Sequence, residues 1–350
     1  MRISVFSAHK YERDHLERAR KIAGLAASFD YYEVSLTSKT VSLAETASAV
    51  CVFVNDILDD SILEKLNLYG CKAILLRCAG YNNVDMVSAK KLGFFVANVP
   101  SYSPESVAEY AVGLIQTLNR KIFLAHDRVR MGNFLLDGLL GICLKGKTVG
   151  IVGTGRIGMC FARIMNGFGC RLLAYDPYQN NDFLRYGTYT NLDNLLAESD
   201  IISLHCPLFE GTTHIINKNT LHKMKTGAIL VNVSRGGLVD TEATINSLKE
   251  KHLGGFAADV YEREGLVFYL DHSTDIIADD ALMLLTTFPN VIITGHQAFF
   301  TEEALAEITK TTVDNAICFF QKSNCANNLV VQNAIPPQDA KPAPTKFDPK

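Results

Sequence analysis

The sequence predicts an α/β protein of two parallel-sheet domains, and three observations lead there. At 350 residues the chain is longer than one hydrophobic core usually spans. Short apolar runs alternate with helix-like segments almost throughout, the pattern of parallel strands covered by helices on both faces. Near the middle, Lys147-Thr148-Val149-Gly150-Ile151-Val152 opens straight into Gly153-Thr154-Gly155-Arg156-Ile157-Gly158, and a helical pattern follows.

Over the first hundred or so residues, strands are expected at Ile3 to Phe6, Ala49 to Val54, Lys72 to Leu76 and Phe94 to Val99. Helices are expected at Glu12 to Ala27, Ser61 to Leu68 and Asp85 to Leu92. Two loops, Asn55-Asp56 and Arg77-Cys78-Ala79-Gly80-Tyr81-Asn82, fall past strand ends, where open α/β sheets bind ligands. Next, Ser103 reads as an N-cap, Pro104 as a first helical residue and Glu105 as a charge suited to the helix dipole. That helix is expected to run to Asn119, and the two prolines around Tyr102 mark a domain crossover. Residues 131 to 146 read as a loop leading to the glycine-rich turn.

Further strands are expected at Arg171 to Tyr175, Ile201 to Leu204, Ala228 to Val233, Phe256 to Val260 and Val291 to Thr294. Helices are expected at Leu192 to Glu198 and Glu242 to Lys251. The polar stretch Glu262 to Asp280 is a long loop of the kind that usually carries function. Thr301 to Phe320 is periodic enough for a long helix, while the proline-rich tail from Pro336 is expected to be disordered.

The glycine-rich turn has the order a dinucleotide site needs. Gly153 allows a tight turn, Gly155 lets a pyrophosphate approach the backbone, and Gly158 lets the helix pack closely on the strand. The helix start then offers N–H groups and a positive dipole end to the phosphates. Such a motif alone is weak, but here a second strand follows and ends in Asp176, where a ribose-binding carboxylate belongs. That carboxylate would repel the 2′-phosphate of NADP, and Pro177-Tyr178-Gln179 supplies no cation for one. NAD is the expected cofactor.

Composition excludes several classes. A net charge of −3 argues against nucleic-acid or anionic-membrane binding. No apolar run is long enough to span a bilayer, and the start reads as a first strand rather than a signal peptide. The nine cysteines form no metal-spaced cluster, so no metal is expected, and they read as reduced thiols of a cytoplasmic protein.

Three polar residues follow three of the later strands: Arg235, Glu264 and His296. They should gather at the carboxyl edge of one sheet, near a nicotinamide. If the reaction is hydride transfer to a 2-keto acid, Arg235 can hold the substrate carboxylate bidentately and His296 can give a proton to the carbonyl oxygen. Glu264 beside the ring would orient it and favour the imidazolium. Each residue alone has a plain structural reading; their convergence raises the functional one.

The chain resembles the D-isomer-specific 2-hydroxyacid dehydrogenases, most closely the fermentative D-lactate dehydrogenases of bacteria. The resemblance covers about residues 1 to 333. It rests on Phe53-Val54-Asn55-Asp56, Arg77-Cys78-Ala79-Gly80-Tyr81-Asn82-Asn83-Val84-Asp85, the glycine-rich turn, Ser203-Leu204-His205-Cys206-Pro207-Leu208, Asn232-Val233-Ser234-Arg235-Gly236 and Thr294-Gly295-His296-Gln297-Ala298-Phe299. It implies the roles given above for Arg235, Glu264 and His296. It adds Ala79 and Gly80 through their backbone, with Tyr102, Arg77 and Phe299, on the substrate side. It also implies that Arg156, Ile157, Cys206, Pro207, Thr212, Val233, Ser234 and Asp259 line the NAD site. His205 is not expected to be catalytic.

The resemblance further implies a flavodoxin-like substrate domain, residues 1–101 plus 298–333, and a Rossmann NAD-binding domain, residues 102–297. A cleft between them would bind substrate, and residues 334–350 would form the tail. A homodimer is implied through the helix after Tyr102, with a dimer of dimers as the larger alternative. The expected reaction is NADH-dependent, reversible reduction of pyruvate to D-lactate. The same chemistry on 2-ketoisocaproate or phenylpyruvate is the alternative, with Val52, Phe53, Tyr102 and Phe299 as candidates for setting pocket size. An NAD-sensing co-repressor is the third reading, disfavoured by the acidic charge and the lack of an added recognition module.

Overall fold

The structure is a computed structural model and describes residues 1–332. The proline-rich tail therefore lies outside the described residues. The chain divides into two units, one formed by Met1–Ser103 with the segment from Phe300 onward, the other by Pro104–Phe299.

The first unit opens with β1 (Arg2–Val5), α1 (Lys10–Ile22), β2 (Ser28–Tyr31), β3 (Ala49–Val52), α2 (Asp60–Leu68), β4 (Ala73–Leu76), α3 (Met86–Lys91) and β5 (Phe95–Ala97). Its sheet is parallel throughout, in the order β2-β1-β3-β4-β5. That is the doubly wound order of the flavodoxin-like fold. The chain moves outward from β1 in one direction through α1 and in the other through α2 and α3. Right-handed crossovers then place those helices on opposite faces. Helix α1 stops earlier than its apolar pattern suggests. Gly24 takes a left-handed φ of +66°, Gly24 N–H donates to Lys21 O and Leu25 N–H to Arg20 O, closing the last turn before β2.

The second unit contains α4 (Pro104–Asn119), α5 (Ile122–Arg130), β6 (Thr148–Val152), α6 (Arg156–Gly167), β7 (Arg171–Tyr175), β8 (Gly187–Tyr189), α7 (Leu192–Glu198), β9 (Ile201–Leu204), α8 (Lys218–Lys223), β10 (Ile229–Asn232), α9 (Thr241–Lys249), β11 (Gly255–Ala258), α10 (Asp280–Thr287) and β12 (Val291–Ile293). Its seven parallel strands run β12-β11-β10-β9-β6-β7-β8, a Rossmann order extended by one strand. The order reverses between β6 and β9, which are directly paired. Successive strand residues feed two separate cores. Val149, Ile151, Ile201, Val231 and Ala257 pack with Val107, Ile115, Phe161 and Met165 of α4 and α6. Val152, Ile202, Leu204, Leu230 and Phe256 pack with Leu195, Leu221, Ile245 and Leu285 of α7 to α10. The period of two along each strand thus builds a sheet buried on both sides.

From Phe300 the chain returns to the first unit as α11 (Glu302–Gln321), capped by Thr301 Oγ1 on Ala304 N–H at 3.2 Å. Val313 and Ala316 of α11 join Ile3, Val5, Leu16, Cys51 and Leu75 in one core. His15 Nε2 meets Glu302 at 2.8 Å, and the Tyr11 and Phe300 rings pack edge to face at 4.7 Å. Among the described residues no helix is long and apolar enough to cross a membrane.

Differences from the sequence expectation sit mostly at the margins. Strands β2 and β8 are half-exposed edges without the apolar run that marks an inner strand. Helix α5 buries no residue, and α8 is six residues long, so neither carries a full amphipathic stripe. Residues 262–279 are irregular apart from one turn at Glu264–Leu266, and Asp279 caps α10 by accepting from Leu282 N–H at 3.0 Å.

Arg77 departs from expectation more sharply. The resemblance implies a substrate-side role for it, but it is 1% exposed and its guanidinium is consumed inside the first unit. Nε donates to Glu12 at 3.0 Å, Nη1 to Cys51 O at 3.2 Å, and Nη2 to Phe6 O and Ser7 O at 3.0 and 3.1 Å. With those donors occupied it is a clamp across the ends of β1, β3 and β4, not a ligand for a carboxylate. We expect Arg77→Met to leave Glu12 as an uncompensated buried charge and to destabilise this unit by about 3–5 kcal/mol, read by urea unfolding. NADH binding by the second unit, read by nucleotide fluorescence, should survive; an unchanged unfolding curve would remove the clamp role.

Candidate functional site

The glycine-rich turn follows β6, at the point where strand order reverses. Gly153 has φ +99°, and a Cβ there would lie 2.7 Å from Cys206 N, so no other residue fits without moving the chain after β9. At Gly158 a Cβ would meet Gly153 O at 2.1 Å, which is the close approach of helix to strand expected for this position. Around Gly155, by contrast, a Cβ would touch nothing within 4 Å. The turn is therefore closed toward the protein and open where a phosphate would approach. Gly155 is the N-cap of α6 and carries no side chain to occupy the first N–H groups of the helix.

Asp176 follows β7 and faces this turn. Its Oδ2 accepts from Thr154 N–H at 2.7 Å and from Thr154 Oγ1 at 3.0 Å, and its Oδ1 accepts from Tyr178 N–H at 2.8 Å. The carboxylate is thus held at the rim of the glycine turn. Thr154, the middle residue of Gly-x-Gly, is a site residue that pattern reading passes over, because the motif leaves that position unspecified.

After β9 the chain reaches His205 and Cys206. Burial drives the His205 pKa down to about 3, so it is neutral; Nε2 meets Ser203 Oγ at 2.9 Å and its ring packs on Phe161 at 4.8 Å. Burial likewise pushes the Cys206 thiol up to about 12 and keeps it protonated. Thr212 Oγ1 donates to Pro207 O at 2.7 Å, and Ser234 Oγ to Cys206 O at 2.7 Å, so Thr212 and Ser234 order the loop after β9. Val233 is buried with the core, and Ile157 and Arg156 begin α6 beside the turn.

Arg235, Glu264 and His296 emerge after β10, β11 and β12, which are neighbours in the sheet with Asn232 beside Ala258 and Ala258 beside Ile293. All three thus leave the same carboxyl edge. Asn232 Nδ2 caps Arg235 O at 2.8 Å, and Gly236 lies so close to the next loop that a Cβ would sit 2.1 Å from Tyr261 C. Tyr261 N–H donates to Glu264 Oε2 at 2.9 Å, and Glu264 Oε1 meets His296 Nδ1 at 2.9 Å. Tyr261, Glu264 and His296 form one hydrogen-bonded run. Because a carboxylate only accepts, Nδ1 carries a proton whether the ring is charged or neutral, and Nε2 is the atom that gains and loses one.

The ring is also fixed from behind. His296 has a left-handed φ of +54°, and its carbonyl accepts from Tyr269 OH at 3.1 Å. Asp259, at 0% exposure, accepts from Thr294 Oγ1 at 2.6 Å, Gln297 N–H at 2.9 Å and Ala298 N–H at 2.7 Å. Implied as an NAD contact, Asp259 is in this structure the anchor of the His296 loop. Burial raises its pKa, against the pull of those hydrogen bonds and of His296. Tyr269 sits in an aperiodic loop that offers no sequence signal for its role.

In the first unit, Asn98 Nδ2 donates to Ala79 O at 2.7 Å and Cys78 Sγ to Gly80 O at 3.2 Å, ordering the loop after β4. Tyr102 lies at that unit's end, and Phe299 at the end of the second.

The chain is similar to several known proteins. Residues 112–298 match the family model described as D-isomer specific 2-hydroxyacid dehydrogenase, NAD binding domain. The chain is 57% identical to 2-hydroxyacid dehydrogenase A of Aspergillus oryzae over 344 residues, 98% of this chain and 99% of that protein. It is 56% identical to D-lactate dehydrogenase kk1H of Curvularia clavata, over 94% of this chain and 95% of that one. Among solved structures, the pyruvate reductase of Chlamydomonas reinhardtii superposes with a TM-score of 0.88 at 41% identity, covering 93% of this chain and 98% of that one. With a glycine turn and an acid shaped for NAD, and a carboxylate-backed imidazole three strands beyond the reversal's β9, the chain belongs to the D-isomer specific 2-hydroxyacid dehydrogenases and is an NAD-dependent enzyme.

Proposed function

We propose that this dehydrogenase reduces pyruvate to D-lactate, reversibly. The observation that carries the chemistry is His296 Nδ1 held on Glu264 at 2.9 Å, which commits Nε2 to proton transfer. The substrate assignment draws on similarity to proteins named D-lactate dehydrogenase and pyruvate reductase. Bound NADH supplies the hydride. Arg235, whose Nη1 donates to Ser234 O at 2.7 Å, turns the rest of its planar guanidinium to the keto-acid carboxylate. His296 Nε2 gives its proton to the carbonyl oxygen, and Glu264 stabilises the imidazolium before that transfer.

A homodimer is the assembly we infer. Among the described residues, Met131, Phe134, Leu135, Leu136 and Leu140 follow α5 with exposures of 77%, 74%, 65%, 82% and 88%, a run too apolar for a free surface. A reducing, cytoplasmic setting fits the nine unpaired thiols.

The direct test is NADH oxidation at 340 nm across pyruvate, 2-ketoisocaproate and phenylpyruvate, with chiral analysis of product. Highest kcat/KM on a bulky acid, or an L product, would defeat the assignment. His296→Gln should lower kcat by ~10²–10⁴-fold while NADH affinity holds; parallel loss of NADH binding would mean the residue shapes the nucleotide site instead. Phe134→Glu should shift the sedimentation of the native protein from dimer toward monomer, and an unaltered dimer would place the interface elsewhere.

A further inference from the structure

A second reactive feature lies in the first unit. The segment after α11 folds back on the helix: Ser323 N–H donates to Cys318 O at 3.0 Å, with Lys322 in the left-handed region at φ +53°. Asn327 Nδ2 and the Cys325 thiol both reach Asn315 Oδ1, at 2.9 and 3.4 Å. This fold-back sets Cys325 against Asn315, one helical turn before Cys318 on the same helix face. Both are free and partly exposed, and both line a cavity of about 660 Å³ shared with Met1, Phe95, Phe319 and Phe320. Two adjacent reduced thiols that share an open cavity are placed for reaction with one another, which neither packing nor the dehydrogenase chemistry requires.

We propose that Cys318 and Cys325 form an oxidisable dithiol, a modification site for hydrogen peroxide that closes to an intramolecular disulfide. The Cys325 proton is engaged by Asn315, and burial raises that thiol's pKa, so first attack falls to Cys318. The Cys318 thiolate attacks a peroxide oxygen; the O–O bond breaks, and the leaving hydroxide takes up a proton as water, leaving a sulfenic acid. Cys325 sulfur then attacks Cys318 sulfur; the S–S bond forms, the S–O bond breaks, and hydroxide departs with the Cys325 proton as a second water. The two thiols lose two electrons and the peroxide gains them.

The test treats the folded full chain with hydrogen peroxide, alkylates remaining thiols and digests with trypsin, which cuts between the two cysteines at Lys322. The peptides carrying Cys318 and Cys325 should emerge as one species, lighter by two hydrogens than their sum and separated by reductant. It should accumulate several-fold faster than oxidation of exposed Cys143. In Cys325→Ser, dimedone should trap a sulfenic acid at Cys318. Independent sulfinic acids at both positions without a cross-link, or a rate no greater than that of Cys143, would overturn the proposal.

Discussion

Taking a carboxylate out of water is tolerable only when its oxygens find donors, and this requirement sets the loops of both units. Asp259 satisfies it with Thr294, Gln297 and Ala298, tying the chain after β12 to the end of β11. Asp56, 1% exposed, satisfies it with Phe53 N–H at 2.6 Å, Leu36 N–H at 2.7 Å and Ser7 Oγ at 2.8 Å. Glu12 takes the guanidinium of Arg77. Each buried acid gathers segments that are far apart in sequence to one edge of a sheet. Loops that would otherwise be the loosest parts of an α/β fold are drawn tight by the cost of leaving charge unpaired.

The same economy shapes the imidazole of the site. A left-handed φ at a histidine is strained by about 1–3 kcal/mol, and it persists because neighbouring contacts over-determine it. At His296 those contacts are the Asp259 anchor two residues away in either direction, the Tyr269 hydroxyl on its carbonyl and the Glu264 carboxylate on its ring. Folding, not substrate, sets the aim of Nε2. Orientation established in this way does not have to be recovered in the reaction.

The second sheet and its glycine turn were largely legible in the sequence. The strand, glycine turn, helix, strand and acid from Lys147 to Asp176 form one local pattern, and each part of it is visible without knowing the fold. The shared sheet edge of Arg235, Glu264 and His296 was legible because each follows a strong apolar strand, and parallel strands place such residues on one edge. Arg77 shows where that logic stops. It too follows a strand, but its partner Glu12 lies 65 positions away on α1, and no local pattern announces an internal ion pair. Edge strands and short helices escaped for a related reason: half-buried segments need only half a pattern. Asp259 was visible as a polar residue at a strand end, but whether it faced a ligand or its own loop depended on three donors located beyond the next strand.

One topological detail bears on how the protein is made. The small sheet takes its first strands from the start of the chain, but the face formed by Ile3, Val5 and Leu16 is completed by Val313 and Ala316 of α11. During synthesis the seven-stranded unit, ending at Phe299, has all its strands before that helix leaves the ribosome. The N-terminal half-core must therefore wait, with apolar surface uncovered, while the intervening unit is translated. A chaperone that shields this early segment would have its work ended by the arrival of the last helix.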